Sequence, residues 1–238
     1  MRPLLEQLAR LAGRMPVRVL VTLNLPCDMA RIGHFPPLDV EYIENSFPKG
    51  FGANHNAAFA RCDTPYFCVV NPDVRIENEP FSALIDCLRS YPGVAGPIVR
   101  SPDGGIEDSA RRVPSLARLL RRVLLRRRVP DYPIGRTRQV DWVAGMFMIF
   151  DSQIYRELNG FDERYHLYCE DVDICLRTRL SGYAVNWVAQ ATIVHDARRA
   201  SRRQIQFLMW HVGSMVRLLC SEAYLRFRRQ FGGPANSS

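Results

Sequence analysis

No Cys-x-x-Cys pair occurs among the seven scattered cysteines of this 238-residue chain, and their odd number leaves no disulfide framework to read. They are expected as reduced, mostly buried thiols of a cytosolic protein. No apolar run approaches the length that crosses a bilayer. The N-terminal apolar stretch is interrupted by Glu6, Arg10, Arg14 and Arg18 before it reaches the length of a secretory signal, so none is expected. Zinc-finger spacing, ribonucleoprotein motifs and aromatic residues interleaved with arginines are missing too, which argues against nucleic acid as the partner. Internal repeats are absent, and only the terminal GGPANSS reads as disordered.

What is present is the balance of an ordinary folded domain: 47% hydrophobic and 24% charged residues. At this length one domain with a sizeable core is expected. The formal charge of +8 points to an anionic partner, a phospholipid surface or a phosphorylated small molecule among them.

Along the chain, Leu4, Leu5, Leu8 and Leu11 recur at helical spacing before a Gly and a Pro, which predicts an opening helix of about two to three turns. VRVLVTL (residues 17–23) and VEYIEN (40–45) read as strands. In SFPKGFGANHNAAFARC, Gly50 and Gly52 permit a tight turn and residues 54–61 open a helix. PYFCVVNPDVRI is a buried strand that runs into a loop at Asn71-Pro72-Asp73, because proline cannot continue a central strand. A helix over 81–91 and a strand over 94–99 complete an alternation that implies an α/β fold with a mostly parallel sheet. In such sheets ligands bind beyond the carboxyl ends of the strands, which puts Asn71-Pro72-Asp73 at the mouth of a site. As an isolated tripeptide it reads first as turn chemistry.

Residues 111–128, RRVPSLARLLRRVLLRRR, form a basic amphipathic helix pattern with Leu116, Leu119, Leu120, Val123 and Leu124 on one face. It fits a membrane surface or a solvated helix resting on the core. In YHLYCEDVDICLR (165–177), Glu170, Asp171 and Asp173 stand at the head of a helix whose stripe is Val172, Cys175, Leu176 and Leu180, with Gly182 past its end. Capping of free N–H groups accounts for one or two of these acids. Residues 192–195 read as a short strand ending in His195, and a second apolar stripe runs through Leu208, Val212, Met215, Val216 and Leu219.

GFGANHNAAFA, VVNPDV, WVAGMFMIFD, NGFDERYHLYCEDVDICLR and VAQATIVHD, in that order over roughly residues 17–201, resemble the family 2 glycosyltransferases, especially their rhamnosyltransferase-like branch. The resemblance implies a Rossmann-like fold of the A type for nucleotide-sugar glycosyltransferases. Residues 1–100 would be the nucleotide-binding half, 101–200 the acceptor and catalytic half, and 201–238 a C-terminal helix and tail. It implies inverting transfer of rhamnose or a similar sugar from a nucleotide-diphosphate sugar to a hydroxyl of a lipid-linked or cell-surface glycan. Asp171 would be the base, with Glu170 orienting the acceptor or that base. Asp73 and His195 would hold Mg²⁺ or Mn²⁺. Asn54, Asn56, Asn71, Trp142 and Gly145 would contact the donor, although core packing also accounts for Trp142, and Asn54 and Asn56 also serve to close the glycine turn. Asp173 and Asp162 are expected to serve a salt bridge or cap and a turn.

The family pattern opens with a strand that this chain lacks: VRVLVTLNLP matches the second strand best, and Leu23 stands where many members have an aspartate. A lipid-linked acceptor implies peripheral attachment to anionic lipid at the inner face of the cell membrane. The alternative is a catalytically impaired, N-terminally truncated relative that binds a membrane or a partner.

Overall fold

The computed structural model describes residues 1–26, 33–114, 131–196 and 205–232. The expected basic helix over 111–128 does not begin at residue 111: Arg111 ends a short strand and 112–114 are not helical, because Arg111 pairs in a ladder with Trp142. From residue 115 onward it lies outside the described residues, as do the last six of the chain. Helix α1 (Arg2–Ala12) forms where the leucine spacing places it, with a proline in its first turn and Leu4, Leu5 and Leu8 buried. Strands β1 (Arg18–Leu23) and β2 (Asp39–Glu44) pair in parallel, Arg18 opposite Asp39 through Leu23 opposite Glu44. Helix α2 (Phe51–Phe59) starts three residues earlier than its sequence pattern indicates, because Gly50 in extended conformation is its N-cap.

There follow β3 (Tyr66–Val70), β4 (Val74–Arg75), α3 (Phe81–Ser90) and β5 (Gly93–Arg100). The second half contributes β6 (Ala110–Arg111), β7 (Arg138–Gln139), β8 (Trp142–Val143), β9 (Phe147–Asp151), α4 (Ser152–Glu157), α5 (Glu170–Leu180), β10 (Ala184–His195), α6 (Ile205–Cys220) and α7 (Glu222–Phe231). The strand expected over 192–195 is the last stretch of β10, beyond a register shift between Val188 and Thr192.

The α/β class holds, but the sheet is mixed rather than mostly parallel. Its order is β3-β9-β5-β10-β4, with β7 also on β10. β5 and β10 run parallel, whereas β9 inserts antiparallel between β3 and β5, and β4 and β7 lie antiparallel on β10. β9 carries Met148 and Phe150 into one hydrophobic cluster and Phe147 and Ile149 into the other. Such a strand, covered on both faces, reads as an unbroken apolar run that conceals its direction.

β1 and β2 form a sheet of their own. Arg18 at the start of β1 reaches the Arg61 carbonyl and Asp63 just ahead of β3, so the two strands begin near each other. Among the described residues no strand lies between them. A cavity of about 470 Å³ occupies that place, lined by α1, β1, α2 and β3.

Candidate active site

The site begins with a backbone that is hard to hold. Tyr168 and Cys169, neither a glycine, take left-handed conformations with φ of 71° and 67°. Each costs on the order of 1–3 kcal/mol, which surrounding contacts must offset. Helix α6 supplies them: Ser214 Oγ donates to the Leu167 carbonyl at 2.8 Å, Trp210 packs on His166 with ring centroids 4.5 Å apart, and His211 packs on Tyr168 at 4.9 Å. From the other side the Phe51 N–H donates to the His166 carbonyl at 2.9 Å. Gly50 permits this approach, since a Cβ there would stand 2.7 Å from the same oxygen.

The turn delivers Glu170 and Asp171 to the first turn of α5. Asp171 Oδ2 accepts from the Gly145 N–H at 3.0 Å, and Oδ1 from the Val172 N–H at 2.8 Å. Gly145 is required for that contact, because a Cβ on it would press within 3.2 Å of Asp171 Cβ. Glu170 is 5% exposed, and its Oε2 is buried without a hydrogen-bond partner. Burial, and then the neighbouring Asp171, push the Glu170 carboxyl up to about 8. Burial raises Asp171 also, opposed by its two backbone donors and by the Arg111 guanidinium. The two environments differ: nothing donates to the buried oxygen of Glu170, whereas two backbone donors favour the charged form of Asp171.

Residue 145 ties this pair to the metal-motif turn. The Asn71 N–H donates to the carbonyl of Met146, the next residue along, at 2.9 Å. Two residues on, Asp73 Oδ1 stands 3.5 Å from His195 Nε2, beyond good hydrogen-bond geometry, and is otherwise buried without a donor. His195 is fixed from behind by Glu107, whose Oε2 is 3.1 Å from Nδ1. Asp73 and then Glu107 raise its basicity above the ordinary histidine range, even though burial opposes them.

An orphaned carboxylate oxygen facing an imidazole nitrogen, with a second carboxylate orienting the ring, is the donor set of a cation that takes its remaining ligands from phosphate and water. Among the described residues no group of three or more His, Cys, Asp or Glu could close around a metal by itself. Asp73 and His195 thus fit a metal shared with a substrate.

Not every expected residue is free to serve. Asn56 accepts from the Phe161 N–H at 2.9 Å and from Tyr155 Oη at 2.8 Å, and donates to the Phe161 carbonyl and to Glu163, both at 2.9 Å. That uses the whole capacity of one amide. Asn56 fixes the turn before the loop 166–169 and has no bond left for a nucleotide. Asn54 Oδ1 accepts from Asn45 at 2.7 Å, within a network that also holds Asn24 and the Lys49 backbone, so it too closes the glycine turn. Trp142 is buried and spends its indole N–H on the Arg112 carbonyl at 3.2 Å. Asp173 pairs with Arg177 at 2.7 Å, and Asp162 holds Arg164 in the preceding turn.

No protein-family model matches the chain. Over 209 residues it is 30% identical to the rhamnosyltransferase WbbL of Escherichia coli (strain K12), covering 82% of this chain and 78% of that protein. The chain belongs to the rhamnosyltransferase-like branch of the family 2 glycosyltransferases. It is also 28% identical over 219 residues to the N-acetylglucosaminyl-diphospho-decaprenol L-rhamnosyltransferase of Mycobacterium tuberculosis, covering 81% of this chain and 71% of that one. Among solved structures, GalNAc-T7 with UDP, GalNAc and Mn²⁺ superposes with a TM-score of 0.61 at 12% identity, over 93% of this chain and 52% of that chain. The mannosyltransferase PcManGT from Pyrobaculum calidifontis, in complex with GDP-Man and Mn²⁺, gives 0.55 at 16% identity, over 84% and 55%. The fold is that of the A-type glycosyltransferases, and this chain spans about half of each of those two structures.

The glycosyltransferase site also contains residues that sequence reading missed. Glu107 behind His195, and Arg111 near Asp171, both sit on the strap 106–111. Arg111 pairs with Asp108 at 2.9 Å and lies over Trp142 at 5.1 Å from its ring centre. His211 is near enough to Asp171 to feel its charge. None belongs to the motifs, and only folding brings them in.

Proposed function

We propose that this glycosyltransferase moves rhamnose or a similar sugar, with inversion, from a nucleotide-diphosphate sugar to a hydroxyl of a lipid-linked glycan at the inner face of the cell membrane. The observation that carries the reading is the buried Glu170–Asp171 pair, tied through residues 145 and 146 to the Asn71–Asp73 turn. The acceptor oxygen forms its bond to the anomeric carbon while the bond from that carbon to the diphosphate oxygen breaks, and the nucleoside diphosphate leaves with the electron pair. The hydroxyl proton goes to a carboxylate oxygen of Asp171. Burial suits that role, since a carboxylate raised toward neutrality is the stronger base. Glu170, carrying its proton, donates to the acceptor or orients it. Asp73 and His195 would hold Mg²⁺ or Mn²⁺, which would offset the charge of the leaving diphosphate. Asn71, whose neighbours line the cavity between β1 and β3, and Gly145 lie where the donor would pass. The Mycobacterium relative, whose name includes a diphospho-decaprenol acceptor, supports the lipid-linked class.

Asp171→Asn tests this reading. Transfer should fall by about a thousandfold or more, with donor affinity and melting temperature nearly unchanged, because the amide keeps the shape but cannot take the proton. Near-normal turnover removes Asp171 from the role. For Asp73→Ala, affinity for the sugar nucleotide measured by calorimetry with Mn²⁺ should fall, and excess metal should restore it only in part. Full transfer in the presence of EDTA overturns the metal assignment.

A second reading, membrane binding without transfer, is favoured by one observation. The cavity between β1 and β3 interrupts the sheet beside Asn54 and Asn71. No calorimetric response to any nucleoside diphosphate with Mn²⁺ would decide for it.

A further inference from the structure

Helix α6 is apolar on two opposite sides, and only one of them has a partner inside the chain. At about 100° per residue, Trp210, Ser214 and Leu218 share the side that meets the catalytic loop and the core. Ser214 and Leu218 are buried there, and Trp210 stacks on His166. Leu208, Met209, Val212 and Val216 fall together on another arc about 100° wide. These four are 64%, 68%, 53% and 57% exposed. No acidic residue occurs anywhere in α6, and its one arginine, Arg217, lies outside the exposed arc, next to the Trp210 side. A soluble face of this kind is ordinarily polar; a contiguous apolar one marks a contact.

We propose that this arc of α6 is the surface by which the enzyme docks on anionic lipid, and that docking there holds the catalytic loop against the bilayer. The inference rests on the lipid-linked acceptor proposed above and names the element that meets the lipid. Lipid is chosen over a protein partner on three grounds. The sixteen-residue helix is too short and α6 too exposed for a span, and among the described residues no helix is long and apolar enough to cross a membrane. A helix of this length with one apolar arc suits the headgroup boundary.

The charge is complementary as well. The sequence just ahead of α6 contains Arg198, Arg199, Arg202 and Arg203, and α7 exposes Arg226, Arg228 and Arg229. Clusters of arginine beside an interfacial helix attract anionic headgroups. The third ground is position. The Ser214 bond to Leu167 and the His211–Tyr168 contact join the docking helix directly to the turn that presents Glu170 and Asp171. A lipid-linked acceptor keeps its diphosphate near the headgroups, so a site carried on the docking helix meets it without leaving the surface.

The test is co-sedimentation of the full chain with vesicles of phosphatidylglycerol and phosphatidylethanolamine, with phosphatidylcholine vesicles as the neutral control. The chain should bind the anionic vesicles and not the neutral ones. The combined variant Leu208→Gln, Val212→Gln, Val216→Gln should lower the bound-to-free ratio at least about tenfold, because three apolar side chains no longer enter the interface. All three side chains face solvent, so its melting temperature should be unchanged.

Should that variant melt early, Val212→Trp gives an independent reading. Its emission should shift to the blue on adding anionic vesicles and be quenched by brominated acyl chains. Undiminished sedimentation of the triple variant, or no quenching at position 212, overturns the proposal. So does light scattering that shows a dimer which the triple variant breaks, since the arc would then be an interface between copies. Vesicle binding is read without donor or acceptor, so a failure of sugar transfer leaves this result standing and is distinguishable from it.

Discussion

Glu170 keeps its proton near neutral pH because it is buried with an oxygen that finds no donor, beside a second carboxylate. Its ordinary value in an unfolded chain is about 4.3. Between there and about 8 the folded chain binds a proton that the unfolded chain has released, so stability falls as pH rises through that window. The sign is opposite to that of a salt-bridged carboxylate. Thermal melts should therefore show the protein more stable near pH 5.5 than near pH 8, by an amount that Glu170→Gln largely removes, since a neutral amide has no proton to lose. A variant whose melting temperature still drops by the full amount would place the titration elsewhere. Asn56 makes a different demand. Its amide joins Tyr155, the Phe161 backbone and Glu163, so Asn56→Ala should cost about 2–4 kcal/mol by urea denaturation, through buried partners left unpaired.

At the scale of elements, the loop 166–169 that precedes Glu170 and Asp171 is clamped between α2 and α6, and the α2 side depends on Gly50. Gly50→Ala would push a methyl group against the His166 backbone, which lies 2.7–2.9 Å from that position. The loop must shift, and Asp171 with it. The expected result is a turnover reduced about tenfold or more, with a stability loss of about 1–3 kcal/mol, checked by transfer kinetics and denaturation of the same preparation. Gly50 was legible in the sequence as a turn residue, but its partner was not, because His166 is more than a hundred positions away. The same limit applies across the site. Asp73, Glu170, Asp171 and His195 stood out because each lies in a motif or at the end of a periodic segment. Glu107 and His211 are carried in by a strap and a helix with no local signal, and Arg111 read only as the first residue of a basic helix. Helices α1, α3, α5 and α6 were readable from apolar spacing, as were β1, β2, β3 and β5. β9 was not, because a strand buried on both faces has no alternation, and hence the sheet was expected to be more parallel than it is.

On the scale of the whole molecule, the described residues form three sheets, the small pair β6-β8 among them, and the β1-β2 pair touches the six-stranded sheet through side chains and not through a backbone ladder. β5 and β10 are paired along both edges over at least part of their length, at the centre of the larger sheet. β1 pairs only with β2, and β3 only with β9, so the facing edges of β1 and β3 border an apolar cavity without ladder partners. Leu4, Leu5 and Leu8 of α1 pack β1 onto the larger sheet, helped by side-chain bonds such as that from the Ile76 N–H to Gln7. His55, against the ring of Phe51 at 4.4 Å, lines that cavity, and burial lowers it to about 4, so the imidazole adds no charge to the wall near neutral pH. Local opening follows the number and burial of the bonds that must break, and a two-stranded unit whose two outer edges have no ladder partner among the described residues has few. Hydrogen exchange followed by mass spectrometry should find amides of residues 18–23 and 39–44 exchanging at least about tenfold faster than those of 93–100 and 184–195. The cavity should also bind an apolar dye, and a larger side chain in its wall, as in Cys68→Phe, should weaken that binding. Equal protection of β1 and β5 would mean that the facing edges are bridged in solution and that the two sheets open as one.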